Sequence, residues 1–416
     1  FRAEYLMGQH TLSAGVEWEK LDVFNLFVAT SRGQAFFNSI ADFQARRANR
    51  YAYGNAVTNN PADAAAEFAY SNTALYLQDR WRVADALTLT FGVRHERFDS
   101  SDTPRFNQGY FNRYGFANTE TLDGRDLTLP RFGFEWEAGE RTTITGGVGL
   151  FGGGTPNVWV SNSYSNDGAI SGFIDCTRGT APSAACPAAV LAALDNINLT
   201  TVPQAFQNQL ATQAGSGTVN AIDPNFEIPS SYRYQLGVDQ KFDLGFAGDD
   251  YRFNVDLTYT EVKDGVLWRH QRLVPIGTLQ DGRPRYGYRA NDPSTGAGRG
   301  TGTHDILLTN TAKGSSLVAS AELSKTWDTP AGLFDASIGY AFMDAEDVTS
   351  ATSSVALSNW DNLAVSDINN PGVATSNYEI RHRFPIRFSW RKNLFGDNES
   401  AVNLFVERRS GRPFSW

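Results

Sequence analysis

Long apolar runs, cysteine, methionine, histidine and a basic excess are all scarce or missing from this sequence of 416 residues. It has two Cys, two Met and five His. No apolar stretch approaches the roughly 20 residues that a membrane helix requires, which disfavours a helical membrane protein. The net charge of −9 disfavours a nucleic-acid partner, which calls for a basic surface. Blocks of like charge are also few, and aromatic residues make up 13% of the chain, which argues against disorder. Helical periodicity is almost absent. Two unlike properties remain together: a mean hydropathy of −0.36, and an aromatic set of 28 Phe, 16 Tyr and 9 Trp.

Alternation with period two fills the space left by the missing helical pattern. Leu87, Leu89, Phe91 and Val93 alternate with Thr88, Thr90, Gly92 and Arg94. Phe253, Val255, Leu257 and Tyr259 alternate with Asn254, Asp256, Thr258 and Thr260. Tyr378, Ile380, His382, Phe384, Ile386, Phe388 and Trp390 stand against Glu379, Arg381, Arg383, Arg387 and Arg391. Successive side chains of a strand point to opposite faces, so each segment has one apolar and one polar face.

The pattern predicts about twelve strands, at roughly 2–7, 11–23, 69–83, 86–98, 127–137, 141–152, 227–242, 250–271, 304–327, 332–347, 376–393 and 399–410. They come in pairs joined by short turns such as Gly8-Gln9-His10, Ala84-Asp85 and Ala138-Gly139-Glu140. Long connections join one pair to the next, the largest being 153–226. A soluble sandwich has short loops at both ends. Short turns at one end and long loops at the other are the mark of an all-β, transmembrane, antiparallel up-and-down β-barrel, with short periplasmic turns, long extracellular loops and an apolar face toward lipid. Trp18, Trp81, Trp136, Trp327 and Trp390, with Phe242 and Phe395, are expected to form one interfacial girdle at the short-turn end.

At this point particular blocks resemble a family. Tyr76-Leu77-Gln78-Asp79-Arg80-Trp81-Arg82-Val83, a short turn, then Leu87-Thr88-Leu89-Thr90-Phe91-Gly92-Val93-Arg94 is similar to a hairpin of TonB-dependent outer-membrane receptors. Leu129-Pro130-Arg131-Phe132-Gly133-Phe134 followed by Thr145-Gly146-Gly147-Val148-Gly149-Leu150-Phe151 resembles the next hairpin. His10-Thr11-Leu12 with Gly15-Val16-Glu17-Trp18-Glu19, and Arg409-Ser410-Gly411-Arg412-Pro413, resemble the Oar-like branch of that family. The resemblance implies a barrel of about 22 strands closed by an N-terminal plug, of which residues 1–416 would be a partial barrel domain lacking plug and final strands. It also implies partners: outer-membrane lipid, the TonB complex through the missing plug, and an unknown ligand. Trp416 resembles the terminal aromatic of barrel proteins, but 411–416 lacks an alternating final strand. A section with open edges in lipid would leave backbone groups unpaired, so it is not expected to be stable alone.

Candidate chemistry is sparse. Cys176 and Cys186 lie in the longest loop of an exported protein and read as a disulfide stapling 177–185. His10, His95, His270, His304 and His382 lack partners at metal-ligand spacing, so no metal site is assigned. Gly147-Val148-Gly149-Leu150-Phe151-Gly152 matches a dinucleotide fingerprint by letter, but it lies within an alternating strand, not between a strand and a helix. No catalytic set can be assembled, and neither enzyme activity nor a cofactor is expected. Asp344-Ala345-Glu346-Asp347 reads as solvated acid, with calcium ligation as the alternative. Arg381, Arg383, Arg387 and Arg391 form a positive luminal column that would meet plug carboxylates, pair with Glu379 and Glu407, or steer an anionic ligand. Residues 187–194 read as a short helix. Recognition is expected among the outer loops, with Trp159 and Tyr164 as contacts.

The functional expectation is an outer-membrane receptor and transporter of a Gram-negative bacterium, taking up its ligand with TonB-coupled energy. The alternative is a passive outer-membrane channel or an adhesion or secretion factor.

Overall fold

The computed structural model describes residues 1–152, 157–215, 217–289 and 304–414. Twelve strands form one antiparallel meander in which every strand pairs with the next along the path. In order they are Arg2–Met7, His10–Asn25, Ala66–Ala84, Leu87–Asp99, Asp126–Gly139, Thr142–Gly152, Ser230–Phe242, Tyr251–His270, Ser315–Thr329, Gly332–Asp347, His382–Phe395 and Asn398–Arg409. Among the described residues the sheet is open, with Arg2–Met7 and Asn398–Arg409 at its edges. Gly8 makes the first tight turn at φ 60°, a conformation that costs glycine nothing sterically.

The ladder puts the apolar half of every strand on one side. Leu77 lies opposite Val93, Phe91 opposite Phe132, Phe132 opposite Val148, and Ile338 opposite Ile386. These side chains stay exposed: Leu77 at 55%, Phe91 at 43% and Ile338 at 56%. Such a continuous exposed apolar face, in register over twelve strands, is a lipid-facing surface. The opposite face is polar and paired. Arg94 bridges Glu17 at 2.7 Å and Glu96 at 2.6 Å, and Arg391 meets Asp335 at 2.8 Å.

Two strands differ from expectation. Residues 304–327 form two strands, Asp305–Thr311 and Ser315–Thr329, which share Tyr251–His270 as partner and keep the same register across the break. Gly314, at φ 124°, makes the break, and a Cβ there would meet the Glu346 carbonyl at 3.0 Å. The strand expected from 376 begins at His382. The alternation of Tyr378 and Ile380 continues further back, but the Glu379 carboxylate accepts the Ala345 backbone N–H at 2.9 Å and replaces a ladder bond, so 376–381 loops.

The aromatic girdle is also corrected. Trp81, Trp136, Trp327 and Trp390 lie near the short turns, with Trp327 opposite Phe334 and Phe334 opposite Trp390. Trp18 lies opposite Thr73, eight residues along from His10. At about 3.3 Å per residue it stands about 26 Å from the short turn, at the other rim. The terminal-aromatic reading of Trp416 lies outside the described residues.

The buried core sits above the meander, in the long connections. Phe68, Tyr70 and Phe98 at the outer strand ends pack with Val160, Tyr164, Trp268, Ile306 and Trp360. A second cluster joins Tyr51, Tyr53, Ile174, Val190, Leu194, Phe206 and Leu210. It rests on a separate three-stranded sheet, Gln34–Phe36, Arg50–Ala56 and Ser171–Thr177. The largest connection is therefore folded. Helix Ala188–Ala193 falls where 187–194 is expected; helix Asn157–Ser165 carries too weak a periodicity to be read from sequence, and helix Gln204–Ala211, which buries Phe206 and Leu210, is short and opens without a side-chain cap.

Candidate functional site

Helix Asn157–Ser165 is the central element of the outer layer. Its sequence, NVWVSNSYS, is poor in helix formers. Ser161, Asn162, Ser163 and Ser165 turn back to bond carbonyls one turn earlier, and Val160 to Tyr164 are buried, so tertiary packing holds the helix. Asn162 also reaches outward. Its amide donates to the Ser354 carbonyl at 2.8 Å, and its side-chain oxygen accepts the Ala356 N–H at 3.3 Å. Asn25 donates to the Ser161 hydroxyl at 2.9 Å.

A cleft of about 260 Å³ opens beside this helix. Its floor is the ladder in which Gly54 lies opposite Phe173 and Asn55 opposite Gly172. Its walls come from Val158, Asn162 and Asn166 of the helix region, from Asn25 and Phe27, and from Ser354. Gly54 is required there, since a Cβ would lie 2.6 Å from the Ala29 carbonyl and 3.1 Å from the Phe173 ring. Phe27 is 64% exposed and Phe173 48%. Among the described residues lining the cleft none is ionisable, in a chain that is 19% charged. The cleft can therefore hold a ligand by amide hydrogen bonds and ring contacts, and it offers no ion pair.

Trp159 and Tyr164, expected as ligand contacts, are taken up by packing. Trp159 meets Trp268 edge-on at 5.0 Å and donates to the Ser353 carbonyl at 2.9 Å. Tyr164 stacks on Phe68 at 4.3 Å and donates to the Asp102 carbonyl at 2.7 Å. Burial raises its phenol pKa, with Asp102 adding to the effect. The cleft is lined by their helix neighbours Val158, Asn162 and Ser165.

The arginine column is largely neutralised. Arg381 lies in the loop before its strand and bridges Glu379 and Asp344, each at 2.9 Å. The Glu379 carboxylate holds its pKa above the usual value. Arg383 pairs with Glu407, and Arg391 with Asp335. Arg387 makes no ion pair among the described residues and lies 6.0 Å from the Phe405 ring centroid. It borders a luminal hollow of about 510 Å³ with Glu322, Asp335 and Asn403.

Cys176 and Cys186 form a disulfide, with Cα atoms 5.8 Å apart, at the edge of the second core cluster. In the same cluster burial pushes the Tyr51 phenol up to about 12. Gly147 lies in the ladder opposite Gly133 and Gln235, as its strand context requires. Sequence spacing misses the contact between His270 and His304, whose ring nitrogens are 3.3 Å apart across 34 residues. Burial lowers the His304 pKa. No group of three His, Cys, Asp or Glu able to hold a metal ion occurs among the described residues. Spacing also misses Asp305, which is fully buried between Arg272, Arg113 and Tyr114.

No curated protein matches the chain. Solved structures similar to it include the FrpB iron transporter from Neisseria meningitidis, with 11% identity over 98% of this chain and 42% of that one, and a TM-score of 0.44. The outer membrane transporter YddB from Escherichia coli has 13% identity over 98% and 46%, with a TM-score of 0.46. The siderophore receptor PirA from Acinetobacter baumannii has 11% identity over 100% and 42%, with a TM-score of 0.47. The chain spans less than half the length of each. The family profile described as "Outer membrane beta barrel domain" matches residues 2–249, more than half of the sequence, and with the lipid-facing meander it establishes that the chain belongs to the outer-membrane β-barrel domain family.

Proposed function

We propose that the whole protein is a receptor of the Gram-negative outer membrane that captures a ligand outside and passes it inward with TonB-coupled energy. Residues 1–416 form part of its barrel domain. The observation that carries this reading is the asymmetry of the molecule. One end of the meander has only short turns, while the other carries a packed layer with its own sheet, helices, disulfide and cleft. A passive pore has no need of so much ordered structure above the lumen, whereas a receptor uses a rigid frame to position binding loops. The resemblance of Tyr76 to Arg94 and of Leu129 to Phe151 to TonB-dependent receptors supports the energised form. Transport would require no chemical step, so no catalytic residue is assigned. The luminal hollow at Arg387 would face the plug.

The test uses the full-length protein. In planar bilayers it should show no steady conductance, and in detergent it should bind the isolated periplasmic domain of TonB. Steady conductance in every insertion, with no TonB binding, would establish the passive channel instead.

A further inference from the structure

From the cleft beside helix Asn157–Ser165 we infer that the ligand bound there is an uncharged saccharide. This deepens the receptor reading and rests on it. Two exposed phenyl rings, Phe27 and Phe173, border a pocket whose polar side chains are all neutral, among them Asn25, Asn162, Asn166 and Ser171. Sugar rings present C–H groups on their faces and hydroxyls at their rims. Aromatic faces, which carry negative potential, suit the former. Side-chain oxygens suit the latter: the amide groups of Asn25 and Asn166 already donate to Ser161 and Ser165, which leaves their oxygens to accept from sugar hydroxyls.

The charge pattern separates this class from the anionic and metal-bound ones. Recognition of carboxylate or phosphate draws on Arg, Lys or a backbone nest, and metal ions require His, Cys, Asp or Glu. None of these side chains lines the described cleft. A peptide added as a further strand is disfavoured at Phe173, because its backbone N–H already donates to the Gln213 side chain at 3.2 Å. The volume of about 260 Å³ is slightly below the usual range for drug-sized ligands and fits one sugar unit of a longer chain.

The test is calorimetric titration of the full-length protein in detergent with neutral oligosaccharides of glucose, galactose, xylose, mannose and N-acetylglucosamine. An anionic ferric catecholate and an uncharged hexapeptide serve as comparators. One oligosaccharide should bind, with an affinity that changes little between 50 and 500 mM salt, because no ion pair is present to be screened. Phe173→Ala and Asn166→Ala should each weaken binding by about tenfold, the usual scale for one ring or one buried amide contact. Both variants should keep the heat-dependent gel mobility of a folded barrel, so that lost binding reports on the cleft. Saccharide binding unchanged in both variants would overturn the inference, as would binding of only the catecholate or peptide, or of nothing in the set. The receptor reading has its own readout in conductance and TonB binding, so a closed protein that ignores sugars would refute the ligand class alone.

Discussion

Asp305 lies fully buried with its carboxylate 2.9 Å from the guanidinium of Arg272, whose side chain is only 3% exposed. Arg113 closes the same carboxylate at 2.9 Å from a helix almost two hundred positions earlier, and Tyr114 donates to it at 2.8 Å. Removing the carboxylate breaks two ion pairs in a buried site, and breaking one such pair typically costs about 3–5 kcal/mol. Asp305→Ala should therefore loosen the outer layer. Hydrogen exchange at 268–272 and 305–309 should rise while strands near the short turns stay protected.

The disulfide closes a loop with a sequence separation of 10. Chain entropy assigns such a loop about 2–3 kcal/mol. Paired Cys176→Ala and Cys186→Ala substitutions should thus speed protease cleavage near 177–186, and the folded-barrel gel band should remain. Loss of that band would show that the small sheet supports the meander.

Acid should weaken the layer around the paired histidines. Burial holds His304 below its ordinary value of 6.5 in the folded state, so the unfolded state takes up protons first as pH falls. Stability is fully present above about pH 6.5 and declines below it, until the pH passes the folded-state value. Protection against hydrogen exchange near Trp268 and Trp360, corrected for the intrinsic rate at each pH, should be lower at pH 5 than at pH 7.5. His304→Gln should flatten that dependence, and an unchanged slope would place its origin elsewhere.

Charge on the lipid side should be far more damaging than charge in the lumen. Leu77 and Gln78 are neighbours on one strand, opposite Val93 and Gly92 respectively. Arginine near the bilayer centre costs about 2–4 kcal/mol on the lipid face of such barrels. In urea unfolding of the full-length protein in vesicles, Leu77→Arg should lower the midpoint markedly, and Gln78→Arg should lower it less. Equal effects would contradict the assignment of faces.

The twelve-strand meander is legible because each strand faces two different solvents, and period-two alternation records that directly. Residues 376–381 mislead because Tyr378 and Ile380 keep the alternation while the Glu379 side chain takes the Ala345 N–H that a strand would have taken. Trp18 is misassigned although the sequence places it: counted from the Gly8-Gln9-His10 turn it stands eight positions along, toward the far rim. The outer layer is mostly invisible to pattern reading. Its helices are of five to nine residues, and its contacts join distant positions, such as Trp159 to Ser353 across 194 residues. Trp159 and Tyr164 stand out as loop aromatics, but their partners, Trp268 and Phe68, come from strand ends that no local window includes. Among the cleft residues, Asn25 and Gly54 give no signal at all in sequence.

The cleft draws its walls from three separate connections, the first through 25–29 and 54–64, the second through 158–173 and Thr218, and the third through 354–355. An occupant touching them all is a non-covalent brace in addition to the ladder and the buried clusters that already join them. Binding and cohesion of the outer layer are then a single equilibrium. At a ligand concentration of 100 Kd the layer gains about 2.7 kcal/mol, enough to slow its local opening about a hundredfold, while the sheet below, which the ligand never touches, gains nothing. A loaded protein would differ from an empty one chiefly in how long its loops stay shut.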